Sequence, residues 1–269
     1  MKGFISSSCG ELINSVGLPD QRLIRSVLPD KKFWDFISRS SSSGDDIMLV
    51  DVDVNTWLLL LNQVAALKLT GSKMVVYAVA YDAKICENLI AAGVPCYFED
   101  RWVKSLFSAY KKWTGATIPP QEKLIIVQLG RMVATMIAVC ENRNVFLSDG
   151  DVVFYRNPLD YVFDNVNIMI TSTSIGPAPE WGAPYFADQP KQYYTLNNGV
   201  VYYKSNAVTK AFLLTLTVKC IAILQKGPDL LAAFLQTTFH AFMLEHHLLV
   251  QPSRYVYLLT FFFLFYYIV

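Results

Sequence analysis

Val145-Phe146-Leu147-Ser148-Asp149-Gly150-Asp151-Val152-Val153-Phe154-Tyr155-Arg156-Asn157-Pro158 is the stretch on which the reading of this chain turns. Three apolar residues suited to a pleated, covered surface run into a serine, and two aspartates follow around a glycine. The first run reads as a short buried strand. The aspartates then lie at its carboxyl end, where open α/β sheets bind ligands. Gly150 is expected to let the backbone turn sharply there. Carboxylates at i and i+2 on a bent segment suit a hard divalent cation, which takes oxygen ligands and shares its coordination with substrate phosphates. An Asp-Gly-Asp is also ordinary turn chemistry. The apolar residues after Asp151 weigh against a solvated tip, because they set the acids between two segments expected to be buried, and a pair of buried carboxylates is costly without a cation.

Working outward, Ile47–Val54 is the first strong strand, followed by a helix over 56–69, a strand over 73–80, a helix over 83–92 and a short strand over 94–97. This β-α-β-α-β alternation predicts a parallel sheet covered by helices, an α/β fold of half-Rossmann type. Helices are expected over 105–115 and 121–141, the second long and apolar apart from Arg131. A strand over 168–172, a Pro- and aromatic-rich loop over 174–195 and a strand after Asn197-Asn198-Gly199 come next. Two helices, 207–225 and 229–247, complete the pattern. The aromatics of the 174–195 loop suit packing over the sheet as well as stacking on the apolar face of a ligand.

Composition narrows the function classes. The 269-residue chain is 53% hydrophobic with a net charge of +1, so electrostatics gives no argument for nucleic acid or an anionic membrane surface. Cys9, Cys86, Cys96, Cys140 and Cys220 are scattered without a Cys-x-x-Cys pair. That spacing argues against zinc and is read as buried free thiols, with one disulfide in an oxidising lumen left open. No apolar run at the start reaches the length of a signal peptide or anchor.

Leu-Ser-Asp-Gly-Asp-Val-Val-Phe-Tyr-Arg-Asn-Pro resembles the Asp-x-Asp segment of the nucleotide-diphospho-sugar transferase family, the retaining, Golgi-type glycosyltransferases that include plant arabinosyl- and xylosyltransferases. Asn197-Asn198-Gly199 with the strand after it resembles that family's Asn-x-Gly element. The resemblance implies a GT-A glycosyltransferase fold, a Rossmann-like mixed sheet flanked by helices. It places the domain over 45–255, after an amino-terminal segment and Ser-rich linker (1–44) and before an apolar tail (256–269), which is either a buried terminal strand or the mark of a truncated sequence. It implies a nucleotide-diphospho-sugar donor such as a UDP-sugar, a glycan or glycoprotein acceptor, no nucleic acid, and Mn²⁺ or Mg²⁺ held by Asp149 and Asp151. It further implies residence in the Golgi lumen or membrane, since relatives carry an amino-terminal anchor.

Residue by residue, the family's basic residue eighteen positions before the first Asp falls on Arg131, expected on the diphosphate. Asp53 and Asn55 fall where a nucleobase or ribose is held. Asn62 and Asp82 match weaker positions. Asn197 and Gly199 fall at the donor sugar. The family's later Asp-Gln element aligns with Leu235-Gln236, so Gln236 faces the sugar while the acid is missing. His240 is a candidate third metal ligand. Leu235 supports a second reading, a catalytically weak or inactive homologue that binds nucleotide or a partner. A third comes from Asp51-Val52-Asp53, which resembles the opening motif of haloacid-dehalogenase-type phosphohydrolases with Asp51 as nucleophile. Asn55 stands where that motif has its fifth residue, and Tyr155 where a later acid is expected.

Overall fold

The computed structural model describes residues 9–11, 21–38, 45–114, 123–176, 193–224, 250–252 and 264–268. The strands are β1 (Asp46–Val52), β2 (Val75–Ala80), β3 (Cys96–Tyr97), β4 (Asn144–Ser148), β5 (Ile168–Gly176), β6 (Tyr193–Tyr203), β7 (Val250–Pro252) and β8 (Leu264–Ile268). The helices are α1 (Gln21–Val27), α2 (Lys31–Ser38), α3 (Trp57–Leu69), α4 (Ala83–Ala91), α5 (Asp100–Thr114), α6 (Lys123–Cys140) and α7 (Ala207–Leu224). Strands form one sheet in the order β3-β2-β1-β4-β6-β5-β8-β7. The first four are parallel, and the others join antiparallel. The fold is mixed α/β, consistent with the GT-A arrangement.

Both faces of the central sheet are covered, and the period-two alternation of its strands decides which residue faces which layer. Ile47, Leu49, Val145 and Leu147 pack with the core that contains α6 and α7. Met48, Val50, Val52 and Phe146 pack with Leu60 and Leu67 of α3 and Ile85 and Leu89 of α4. β1 and β4 pair in parallel with Val50 opposite Ser148. Asp51 and Asp149 therefore follow side by side, one step beyond the last pair, and both have the parity of the α6 face.

Most elements fall where the sequence predicts them, with differences at their ends. Helix α5 starts at Asp100, not Ser105. Strands β5 and β6 extend to Gly176 and back to Tyr193, shortening the expected 174–195 loop from both sides. The apolar run after Asp151 does not form a second buried segment: Phe154 is buried, whereas Val153 and Tyr155 are exposed. Among the described residues no strand pairs this stretch, and of its two aromatics only Phe154 is drawn inward. The expected 229–247 helix, the Ser40–Gly44 stretch and most of the 174–195 loop lie outside the described residues.

Phe33, Trp34 and Ile37 of α2 are buried in the same core as α6. Trp102 Nε1 donates to the Val27 carbonyl over 2.8 Å, tying α1 to α5. The residues of β8 pair with β5, so part of the apolar tail is a sheet strand. The free-thiol expectation is corrected: Cys9 bonds Cys140 and Cys86 bonds Cys96, each with Cα atoms 5.5 Å apart. The fold brings together cysteines that the sequence spaces irregularly, and Cys220 remains a buried free thiol. Among the described residues, no helix is long and apolar enough to cross a membrane.

Candidate donor-binding site

Asp149 directly follows β4, and its backbone N–H donates to the Gly199 carbonyl of β6 over 2.7 Å. The two sequence motifs, whose Asp149 and Gly199 are 50 residues apart in the chain, thus meet at one strand end. Gly150 begins a turn in which the Val152 N–H donates to the Asp149 carbonyl over 3.4 Å. Positive φ is not what calls for glycine here, since the glycines with positive φ are Gly71 and Gly93 among the described residues. A Cβ on Gly150 would meet Thr56 Cβ and the Thr56 carbonyl at 3.4 Å, which is close to ordinary van der Waals contact. The turn lies close against the entry to α3.

The carboxylates beyond that turn differ in exposure. Asp149 is 44% exposed at its side chain, and Asp151 is exposed. Gln63, fully buried on α3, donates from Nε2 to Ser148 Oγ at 2.7 Å and to the Asp149 carbonyl at 3.0 Å. Its Oε1 is buried with no hydrogen-bond partner among the described residues. Asn62, the residue the sequence singles out on this helix, is exposed, and its neighbour makes the contact. A helix position is a matter of phase, and one residue turns a side chain by about a quarter of a circle.

Arg131 of α6 lies between two carboxylates. Its Nη1 forms an ion pair with Asp149 Oδ1, and its Nε lies 3.5 Å from Asp51 Oδ2. The arginine and Asp51 side chains are 12% and 6% exposed. Burial pulls against the guanidinium's charge, but Asp149 and Asp51 more than offset it, and its pKa is raised. Asp51 is pushed up to about 7: burial raises it, opposed by Arg131 and by the Tyr81 hydroxyl, with the Asp149 charge adding to the rise. Tyr81 Oη lies 3.2 Å from Asp51 Oδ1 and 2.9 Å from the Val127 carbonyl, and its single proton serves either acceptor. Burial, then the Asp51 charge, hold that phenol well above its usual pKa, so it stays a neutral donor. Gly130 makes room for the ring, since a Cβ there would come 3.1 Å from Tyr81 Cζ.

The other expected positions are occupied locally. Asp53 Oδ1 accepts from the Asn55 and Thr56 backbone N–H groups and from Thr56 Oγ1, at 2.9–3.0 Å. Asn55 Nδ2 lies 3.4 Å from Asp53 Oδ2. Asp53 therefore folds the β1–α3 turn as an Asx residue does. Asp82 caps α4 by accepting from Lys84 and Ile85. Asn197 stands opposite Thr171 in the β5–β6 ladder. Gln236 and His240 lie outside the described residues. Sequence reasoning missed Gln63, Tyr81, Gly130 and the structural use of Asp51. Gly130 inside a largely apolar helix and Gln63 beside Asn62 were the available signals.

Residues 72–220, more than half of the chain, match the family model described as nucleotide-diphospho-sugar transferase. The chain belongs to that family, whose members use nucleotide-diphospho-sugar donors. No curated protein matches it.

Proposed function

We propose that this protein is a metal-dependent glycosyltransferase that moves a sugar from a nucleotide diphosphate, a UDP-sugar in the first instance, to a glycan or glycoprotein acceptor with retention of configuration. The observation that carries this reading is the Asp149–Gly199 contact, which unites the Asp-x-Asp and Asn-x-Gly motifs at the carboxyl end of a central strand. Among the described residues, no three His, Cys, Asp or Glu side chains group closely enough to hold a metal alone. Asp149 and Asp151 nonetheless fit Mn²⁺ or Mg²⁺ bound together with substrate phosphates, because such ions are commonly held by one or two carboxylates and otherwise by phosphate and water. When bound, the ion would neutralise charge developing on the departing diphosphate.

The chain's own residues divide the remaining work. Asp149 and Asp151 are the hard oxygen donors, and His240 is the proposed third. Arg131 carries a fixed positive charge to the same strand end, where it favours the diphosphate. Asn197 and Gln236 orient the donor sugar, and Gly199 allows its close approach. Asp53 and Asn55 shape the loop facing the nucleoside. A double displacement needs a carboxylate close to the anomeric carbon, and Leu235 stands where the family's acid falls, so front-face attack guided by the leaving phosphate is the proposed route. Two disulfides suit an oxidising compartment, which supports the Golgi lumen. The haloacid-dehalogenase alternative is disfavoured physically: a nucleophile must reach its substrate, whereas Asp51 is buried against Arg131 and Asp53 is engaged by its own turn.

The test is release of UDP from UDP-sugars, with and without acceptor glycans, by wild type and Asp151→Ala in Mn²⁺. Turnover by wild type that Asp151→Ala lacks is expected. Full turnover by Asp151→Ala would contradict the assignment. Metal-dependent UDP binding without turnover on any donor would favour the inactive homologue that Leu235 suggests.

A further inference from the structure

Asp51 has no role in the donor chemistry just described, yet it is one of the least exposed charged side chains among the described residues. It lies inside β1, paired with Val79 of β2. One neighbour is the Tyr81 hydroxyl, and another is the Nε edge of Arg131. Arg131 in turn reaches Asp149 from its Nη1 end. We propose that Asp51 is a positioning residue of the donor site: its carboxylate fixes one edge of the Arg131 guanidinium so that the opposite edge orients Asp149. The proposal rests on the donor-site reading above and adds to it the residue that holds the metal-binding aspartate in place.

The geometry has a direction. Exposure rises from Asp51 (6%) through Arg131 (12%) to Asp149 (44%). Asp51 is too deep to touch a diphosphate. Asp149 is open, and an aspartate offers two oxygens with several lone-pair positions. Arg131 takes Oδ1, which leaves Oδ2 for a cation. A metal-ligating carboxylate that is itself hydrogen-bonded is held in one orientation, and loss of such an outer partner commonly weakens metal affinity about 10–100-fold.

A planar guanidinium suits the middle position, since it meets Asp51 across a 3.5 Å charge contact at Nε and Asp149 at Nη1 in fixed relation, whereas a lysine ammonium is a point charge on a flexible stem. The fold supplies the outer ends of the relay. Parallel pairing of β1 with β4 sets Asp51 beside Asp149 on the α6 face. Tyr81 braces Asp51 from the other oxygen, and Gly130 leaves space for that phenol. A buried carboxylate is a burden on stability. A role in orienting Arg131 accounts for its presence where a strand residue would ordinarily be apolar.

The experiment measures Mn²⁺-dependent UDP binding by calorimetry for the full chain as wild type, Asp51→Asn, Arg131→Lys, the double variant and Asp151→Ala, with Mn²⁺ affinity alone read by electron paramagnetic resonance. Asp51→Asn and Arg131→Lys are each expected to weaken Mn²⁺ and Mn²⁺–UDP binding about 10–100-fold. Because Asp51 acts through Arg131, the double variant should be no worse than the weaker single by more than about twofold. Binding by Asp51→Asn equal to wild type, or losses that multiply in the double variant, would overturn the proposal. If Asp51→Asn does not fold by thermal melting, Arg131→Lys decides: it keeps the charge beside Asp149 but cannot span both carboxylates, and wild-type affinity in it is the contrary result. Loss of binding in Asp151→Ala with none in Asp51→Asn removes this proposal alone. No Mn²⁺-dependent UDP binding by wild type removes the donor-site reading and this proposal with it.

Discussion

The chain contains two Asp-x-Asp segments at the carboxyl ends of neighbouring parallel strands, and they are used in opposite ways. Asp51-Val52-Asp53 is absorbed into the fold. Asp51 is buried against Arg131 and Tyr81, Val52 is core, and Asp53 builds the turn into α3. Asp149-Gly150-Asp151 is presented, with Asp149 half-exposed and Asp151 exposed. The difference lies in where each strand stops. β1 continues through Val52, so its first aspartate is still inside the ladder, whereas β4 ends at Ser148, so its first aspartate is outside. The middle residue reinforces this, since Val52 buries a side chain in the core and Gly150 has none to bury. The same three-letter pattern thus marks a structural brace in one strand and a candidate metal site in the next.

The sharpest way to break this contrast is to remove the residue that joins the two segments. Arg131→Ala leaves Asp51 buried without its cation and should cost about 3–5 kcal/mol in urea unfolding above pH 7, where that carboxyl is ionised. An unchanged midpoint would mean the three groups are not coupled. Gly130→Ala should cost about 1–3 kcal/mol by forcing the Tyr81 ring from its place, even though alanine is the better helix former. A stabilised variant would show that the ring moves freely. Asp53→Ala removes the turn's acceptor and should cost about 0.5–2 kcal/mol, and it should weaken Mn²⁺-dependent UDP binding, since the same turn shapes the loop facing the nucleoside.

A pH effect should distinguish Asp51 from both acids of the second segment. Its folded pKa, about 7, lies above its ordinary value of 3.8. The folded state therefore holds a proton that the unfolded chain releases, and stability attributable to this group falls as pH rises from about 4 to about 7. The groups facing it are Arg131, Tyr81 and Asp149. Asp51→Asn has no proton to lose, so its stability relative to wild type should rise across that window. A flat difference between the two melting curves would place Asp51 in a charged state throughout. The smallest effect is expected for Asp151→Ala, which should shift unfolding by no more than about 0.5 kcal/mol because the side chain is exposed.

Much of the parallel half of the sheet was legible because local signals suffice for it. Alternating strands and helices with short connections predict β1 to β4 and α3 to α6, and only their ends moved. The strand order was less legible. That β4 lies beside β1 and also against antiparallel β6 depends on pairings between residues far apart in sequence. For that reason Asp51, singled out as a nucleophile of a different enzyme class, could not be recognised as the partner of Arg131. The Cys9–Cys140 bond was missed for the same reason, since those residues are 131 apart. Arg131 was legible as an exception on an apolar helix, and its expected phosphate role is compatible with its link to Asp149. Gln63 was hidden behind the more conspicuous Asn62, because helical phase within an almost wholly apolar segment cannot be read from polarity alone.

The central claim is that the second Asp-x-Asp segment holds a metal-nucleotide complex. Calorimetric titration of UDP into wild type and Asp151→Ala, with and without Mn²⁺, addresses it most directly. The account predicts binding by wild type only when Mn²⁺ is present, and its loss in an Asp151→Ala protein that melts like wild type. Metal-independent binding, or equal Mn²⁺-dependent binding by both proteins, would contradict it.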